Sequence, residues 1–388
     1  MEKIDEPHGA TADCRVLFVI GQLGVGGAEG QLRRLVAALR DRLDRVCVFA
    51  LGRGMVTTGG TVLPKAPVIF GERRGAYDPL PLLRLRTAIR IFRPTAIVTF
   101  DRHAFLYSLI ARFWTGSFPP IINRALETHG LVTRSAALQL GLARHWLRPQ
   151  DNIVALSNAL ADYMKDSWGF PSEQIHVIPL GIDVSRFHGG VVTELRAPTR
   201  QALGIPCDTP VMIQVGNLSP NKNHEMALRL LAMVRSSGFL DCRLLVVGTG
   251  PEERQQALRA LAENMKLDNH VIFGGVQADV RPFLAASDVL VLTSRAEATP
   301  NVVLESLACG VPVVVSAYAS ASEQLGPDLS YLSIPVEREA EFARRVCALL
   351  ESASERERIG RLGQARVRAC FSMERAVADW EKLICDCL

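Results

Sequence analysis

Two carboxylates, Glu297 and Glu305, stand eight residues apart in the run Ser294-Arg-Ala-Glu-Ala-Thr-Pro-Asn-Val-Val-Leu-Glu-Ser-Leu-Ala-Cys-Gly310. The first falls in a loop and the second one turn inside a helix that begins near Asn301. Asparagine is a helix-capping residue type, so Asn301 is read as the cap. The first N–H groups of a helix have no partner within it. The stretch Thr299, Pro300, Asn301 and Val302 therefore reads as an anion site. Glu305 is flanked by Val302, Val303, Leu304, Leu307 and Ala308. Burying a carboxylate there is costly unless a ligand hydroxyl or a basic side chain satisfies it.

Three glycine turns sit where strands should give way to helices. The first, Gly21-Gln-Leu-Gly-Val-Gly-Gly-Ala-Glu29, lets backbone N–H groups approach an anion or a sugar through Gly26 and Gly27. It misses the GxGxxG dinucleotide fingerprint because the third glycine position is Glu29, and no Walker sequence is present. The second, Val215-Gly-Asn-Leu-Ser-Pro-Asn-Lys-Asn-His224, brings Lys222 to a helix start, a pairing that suits phosphate. The third, Gly248-Thr-Gly-Pro-Glu252, has proline and acidic residues suited to a first helical turn. Each has a plain structural reading as well, as a turn or a solvated lysine.

These loops need a scaffold. Short apolar runs at 15–21, 45–50, 96–100, 120–123, 153–156 and 175–179 read as strands, with helices at 28–40, 79–92 and 103–114. The pattern restarts after a polar, Gly- and Pro-containing stretch at 189–210, read as a linker. Strands follow at 211–215, 243–247, 271–273, 289–292 and 313–315, with helices at 222–236, 251–264, 279–286 and 301–309. Charged helices fill 337–369. A last amphipathic helix at 371–388 carries Val377, Trp380, Leu383 and Ile384 at helical spacing. Alternating strands and helices imply two mostly parallel sheets, with ligands beyond the carboxyl ends of the strands.

Composition narrows the class. The chain has 388 residues, 48% hydrophobic and 22% charged, which suits two or three globular domains and excludes a disordered or collagen-like chain. A net charge of +4 and 6% aromatics argue against a nucleic-acid partner. Nine cysteines without a CxxC pair fit neither a zinc cluster nor a disulfide framework, and Cys47 and Cys309 read as packing residues. The first residues are acidic and polar, so no secretory signal is expected, and no apolar stretch approaches the about 18 residues of a spanning helix. Arg84, Arg86, Arg90 and Arg93 accompany Leu82, Leu83, Leu85, Ile89 and Phe92. That stretch reads either as a sheet-covering helix or as a basic amphipathic helix for an anionic membrane surface.

In order and combination, GVGGAE at 24–29, VIPLGIDVSRF at 177–187, VGNLSPNKN at 215–223, VVGTGPE at 246–252, ASD at 286–288 and EATPNVVLESLACGVPVV at 297–314 make the chain resemble the retaining glycosyltransferases of family 4. The resemblance runs from about residue 15 to the end. It implies an α/β protein of GT-B type: two Rossmann-like domains facing a central cleft, with a C-terminal crossover helix. The domains are expected at 1–188, with 371–388 returning to it, and at 189–370.

The resemblance also implies roles. Glu297 would contact hydroxyls of the donor sugar, Glu305 the ribose of the donor nucleotide, and Lys222 the diphosphate. Thr299, Pro300, Asn301 and Val302 would bind through the helix start, and Gly26 and Gly27 would face the donor from the first domain. Asn217 stands where the family usually has an arginine, and Arg295 is a candidate to restore that charge. The first-domain catalytic histidine maps to His129, with His103 as the alternative, and Arg124 is carried as an acceptor or anion contact. No Asp-x-Asp occurs, so neither metal nor cofactor is expected beyond the donor, a nucleotide-diphosphate sugar and above all a UDP-sugar. The implied function is transfer of that sugar to a glycan or lipid-linked acceptor in surface polysaccharide or glycolipid synthesis, in the cytoplasm or at the inner face of the membrane. A nucleotide-sugar epimerase and a weakly catalytic partner-binding subunit are the alternatives. Asn217 is the feature that raises the second.

Overall fold

The computed structural model describes residues 14–24, 27–53, 66–75, 78–116, 119–125, 139–141 and 143–387. Its first half runs β1 (Arg15–Leu23), α1 (Gly27–Leu39), β2 (Arg45–Arg53), β3 (Val68–Phe70), α2 (Leu80–Phe92), β4 (Ala96–Thr99), α3 (Arg102–Phe113), β5 (Ile121–Arg124), β6 (Asn152–Ala155), α4 (Asn158–Trp168) and β7 (Ile175–Val177). The strands form one sheet in the order β3-β2-β1-β4-β5-β6-β7, every pair parallel. Parallel strands are covered on both faces, which is why β4 and β5 are buried throughout rather than alternating. Asp101 caps α3 by accepting from Ala104 N, and Ser157 caps α4 by accepting from Leu160 N. Helix α2 stops at Arg93, in a left-handed conformation before Pro94.

The second half runs α5 (Gly189–Ala202), β8 (Val211–Val215), α6 (His224–Ser236), β9 (Arg243–Val247), α7 (Glu252–Asn264), β10 (Val271–Gly275), α8 (Arg281–Ala286), β11 (Val289–Leu292), α9 (Asn301–Cys309), β12 (Val313–Ser316), α10 (Ala321–Leu325), β13 (Ser333–Ile334), α11 (Glu339–Glu351), α12 (Ala353–Cys370) and α13 (Met373–Asp386). Its six strands are parallel, ordered β10-β9-β8-β11-β12-β13. The two halves are thus Rossmann-like α/β layers, as the resemblance implies, with the switch in strand order lying between β1 and β4 in the first sheet and between β8 and β11 in the second.

The expected linker at 189–210 is corrected. Residues 189–202 form helix α5, with Pro198 inside it. A buried arginine explains why polar residues there do not mark a loop. Arg200 donates to the carbonyls of Ala286, Pro206, Cys207 and Thr209 and to the Asp288 carboxylate. Asp288 also accepts from Arg196 and from Val211 N, so the Ala-Ser-Asp sequence is a structural clamp at the entry to β8. Strand β3 and helix α4 were not anticipated. Three residues of an edge strand carry too little periodicity, and α4 buries only Leu160, Met164 and Trp168.

The last helix packs against the first sheet. Val377, Trp380, Leu383 and Ile384 of α13 join Val16, Phe18, Leu32 and Leu35 in one core, with Trp380 stacked on Phe100 at 6.3 Å. The chain is tied at this return by Ile182 N donating to Phe371 O and Met373 N donating to Ile182 O.

Candidate active site

Lys222 lies in a single 3-10 turn, Pro220–Lys222, followed by Asn223 in a left-handed conformation and then α6. The turn is fastened to the sheet. The Lys222 carbonyl accepts from Gln214 Nε2 at 2.7 Å and from Thr293 Oγ1 at 3.1 Å. Asn221 binds the facing loop twice, donating to Ala296 O and accepting from Ala296 N, while Arg295 N donates to Asn221 O. Beneath it, a Cβ on Gly248 would fall 2.0 Å from Gly216 O, so only glycine lets the turns after β8 and β9 come together.

This bonding brings Lys222 against Glu297. Lys222 Nζ donates to Glu297 Oε1 at 2.5 Å, and both side chains are mostly buried. The ammonium expected to hold a diphosphate is therefore neutralised by the carboxylate expected to hold a sugar. Asn217 is exposed and contributes its carbonyl to Ser219 N; Arg295 is exposed beside Glu297 along the cleft wall.

The start of α9 departs from expectation in one respect. Pro300 occupies the N-cap position in an extended conformation, and no side-chain cap bond forms because its ring carries no acceptor. Asn301 becomes the first helical residue instead, and its side chain crosses to the first half, where Nδ2 donates to Gly27 O at 3.3 Å. Thr299 is buried, and its hydroxyl has no hydrogen-bond partner among the described residues; Val302 is buried just inside the helix. A polar atom in that condition is available to a ligand.

Glu305 is one turn further on. Burial raises its pKa above the usual carboxylate range, and the positive charges of Arg34 and Arg186 pull it back. Arg34 belongs to α1, so the carboxylate answers to cations of the first half across the cleft. Sequence reasoning did not single out either arginine, although Arg186 lies within the VIPLGIDVSRF sequence. His224 opens α6 beside Lys222. It is almost wholly buried, its ring nitrogens lack partners among the described residues, and burial followed by the charge of Arg254 lowers its pKa to about 4.

The halves also meet at α4, where the Glu323 carboxylate of α10 accepts from Asn158 N, Ala159 N and Asn158 Nδ2 at 2.8–2.9 Å. Between them lies a cavity of about 250 Å³ lined by Ser157, Tyr163, Arg295, Glu297 and Tyr318.

Of the other expected residues, His129 and Gly26 lie outside the described residues. His103 is half-buried on α3, its pKa lowered by burial and then by Arg73, and it faces a first-half cavity remote from Lys222 in sequence and sheet. Arg124 is 4% exposed at the end of β5, with its guanidinium 5.1 Å from the Phe100 ring among the side chains covered by α13, and its Nη1 has no hydrogen-bond partner among the described residues. Cys47 and Cys309 are buried free thiols, pushed up to about 11 and about 12 by burial. Among the described residues no group of three or more His, Cys, Asp and Glu side chains could hold a metal ion, and no helix is long and apolar enough to cross a membrane. On α2, Arg84 pairs with Glu72 and Arg86 donates to Trp114 O, so two of the four arginines are engaged by the protein itself.

Residues 25–186 match the family described as Glycosyltransferase Family 4, and residues 196–366 match Glycosyl transferases group 1. The chain is 32% identical over 274 residues to the GDP-mannose-dependent alpha-(1-6)-phosphatidylinositol monomannoside mannosyltransferase of Mycolicibacterium smegmatis, covering 65% of this chain and 70% of that protein. It is 31% identical over 235 residues to the lipopolysaccharide core biosynthesis glycosyltransferase LpsE of Rhizobium meliloti, covering 60% and 64%. The chain spans about half the length of several other curated relatives it matches. In fold it is similar to Anabaena HepE solved in complex with UDP, with a TM-score of 0.79, 21% identity, and coverage of 96% of this chain and 100% of that one.

Proposed function

The chain belongs to glycosyltransferase family 4, and on that premise we propose that it moves a sugar, with retention at the anomeric carbon, from a nucleotide-diphosphate donor to a glycan or lipid-linked acceptor. The observation that carries this reading is the convergence of Lys222, Glu297, Thr299 and Glu305 at the strand ends of the second half, opposite Gly27 and Arg34 of the first. Such a place suits a diphosphate flanked by a ribose and a sugar.

In this reading Glu305 accepts from the ribose hydroxyls, and the cations that face it hold its charge in place. Lys222 turns from Glu297 to the diphosphate, which frees Glu297 to accept from hydroxyls of the donor sugar. As the bond from the anomeric carbon to the diphosphate oxygen breaks, negative charge grows on that oxygen. Lys222 and the first N–H groups of α9 meet it, supplying the electrostatic stabilisation that dominates such a step. The acceptor oxygen forms the new bond to the anomeric carbon, and its proton leaves toward the departing phosphate.

The mannosyltransferase and lipopolysaccharide relatives support an acceptor on a glycolipid or surface polysaccharide, and the UDP held by Anabaena HepE supports a UDP-sugar donor. An acceptor of that kind suits work in the cytoplasm at the inner face of the membrane. The test is calorimetric titration of UDP, GDP and their sugars, followed by NMR of the product. Nanomolar to micromolar binding of one nucleotide and an axial product linkage from an axial donor are the expected results. Binding of none, or inversion, overturns the reading.

A further inference from the structure

A second cavity, of about 690 Å³, opens at the carboxyl ends of the first-half strands. Its lining among the described residues comes from the first half, and it shares none of them with the cavity that holds Glu297. Its size is that of a small-molecule site, and its place beyond the strand ends is where ligands bind in such sheets. Gly21 and Gly52 leave its floor bare. A Cβ on Gly21 would lie 2.9 Å from an oxygen of Asp101, so the glycine is what lets Asp101 turn inward against the backbone.

The wall is cationic. Among the described residues, Arg53, Arg73, Arg74 and Arg102 line it, with His103, against one lining carboxylate, Asp101. That carboxylate is spent on the protein: one oxygen accepts from Gly21 N and the other from Ala104 N. Of the acids just outside the lining, Glu72 reaches Arg53 only at 3.8 Å and is held at 3.0 Å by Arg84, and Asp78 accepts from Arg74 N and Leu80 N. Arg73 is fixed in place by donating to Gly75 O and lies over the Tyr107 ring. Arg102 has its Nε buried without a hydrogen-bond partner among the described residues. It begins α3, whose twelve-residue dipole points its positive end at the cavity. The lowered pKa of His103, in which Arg73 takes part after burial, agrees with a positive field. Guanidinium groups in excess around a bare floor are a phosphate-binding arrangement, because each offers a planar pair of donors to two phosphate oxygens.

We propose that this cavity takes the phosphate group of a phosphate-bearing acceptor, and so sets the acceptor class of the enzyme. The proposal rests on the transferase reading above. Binding of glucose 6-phosphate, glucose and glucuronate is measured by titration calorimetry, with and without saturating UDP, on the parent chain and on Arg53→Gln, Arg102→Gln, the double variant and Arg102→Lys. Glucose 6-phosphate is expected to bind, to weaken at least tenfold in the double variant, to be partly rescued by Arg102→Lys, and to weaken with added salt. UDP affinity should stay within twofold in every variant, which also certifies their folding; Arg53 is exposed, so its single variant tests the idea even if Arg102→Gln does not fold. Vesicles of phosphatidylglycerol in phosphatidylcholine separate the sources. Vesicle binding that falls in the double variant and is competed by glucose 6-phosphate supports a lipid headgroup. Unchanged vesicle binding beside the lost sugar phosphate supports a soluble one. Equal binding of glucose, tighter binding of glucuronate, or no effect of the double variant overturns the proposal. A parent chain that binds glucose 6-phosphate but no nucleotide overturns the transferase reading and with it the acceptor role.

Discussion

Lys222 and Glu297 neutralise one another at 2.5 Å, so each must give up the other to meet a donor. Removing one leaves its partner buried with an uncompensated charge. Lys222→Ala is expected to weaken UDP binding about 10- to 100-fold, the worth of one charge-assisted hydrogen bond. Glu297→Gln should instead lower turnover of the sugar donor while leaving UDP affinity within a few fold; titration and initial rates tell the two apart. Glu305 makes an opposite bargain. Its pKa is raised in the fold, so the folded state is penalised as pH climbs through the ordinary value of 4.5 and beyond. Glu305→Gln should therefore melt above the parent at pH 8 and match it near pH 4, while binding UDP more weakly. His224 works in the other direction. Its pKa falls from 6.5 to about 4, so its neutral form stabilises the fold fully above pH 6.5 and that stability is lost as pH falls toward 4. The loss is about 3 kcal/mol. Urea midpoints of the parent should drop across that window, and those of His224→Asn should drop less.

At the level of elements, the sequence was most legible where one local rule dominated. The apolar runs of β1, β8 and β11 and the Pro94 stop after α2 need no long-range information. Helix α5 was missed because its decisive residue, Arg200, is polar and its partners lie far along the chain or in carbonyls no sequence pattern displays. Asn301 was misassigned as a cap for a related reason: Pro300 before it fits the N-cap geometry without any side-chain bond, and the asparagine is then free to reach Gly27. The amphipathic stripe of α13 announced burial but not its partner. That partner is the first sheet, with Trp380 4% exposed and stacked on Phe100. Trp380→Ala is expected to cost about 3–5 kcal/mol, read from denaturant midpoints.

Across the whole molecule, the ties between the halves among the described residues include Asn301 to Gly27, Glu323 to the start of α4, Arg186 to Asp279, and residues 371 and 373 to Ile182. Glu323 holds two helix-start N–H groups that belong to the other half, so it is the tie most exposed to a change in cleft opening. Glu323→Ala should increase the radius of gyration of the unliganded protein in small-angle scattering, with UDP reversing the change. An unaltered scattering curve with unaltered UDP affinity would show that closure is set elsewhere.

Sequence alone determined the two-sheet plan, the glycine turns, and the residue types that hold an anion, because these follow from short-range periodicity and from what each side chain and turn can do chemically. Tertiary structure decided which of those residues meet. Lys222 is 75 positions from Glu297, Arg34 is far along the chain from Glu305, and the four arginines of the first-half cavity come from three separate strand ends. Proximity of that kind is set by sheet order and by the crossing of α13, and the strand order of a parallel sheet is fixed by which covering helices pack best, a property of no single segment.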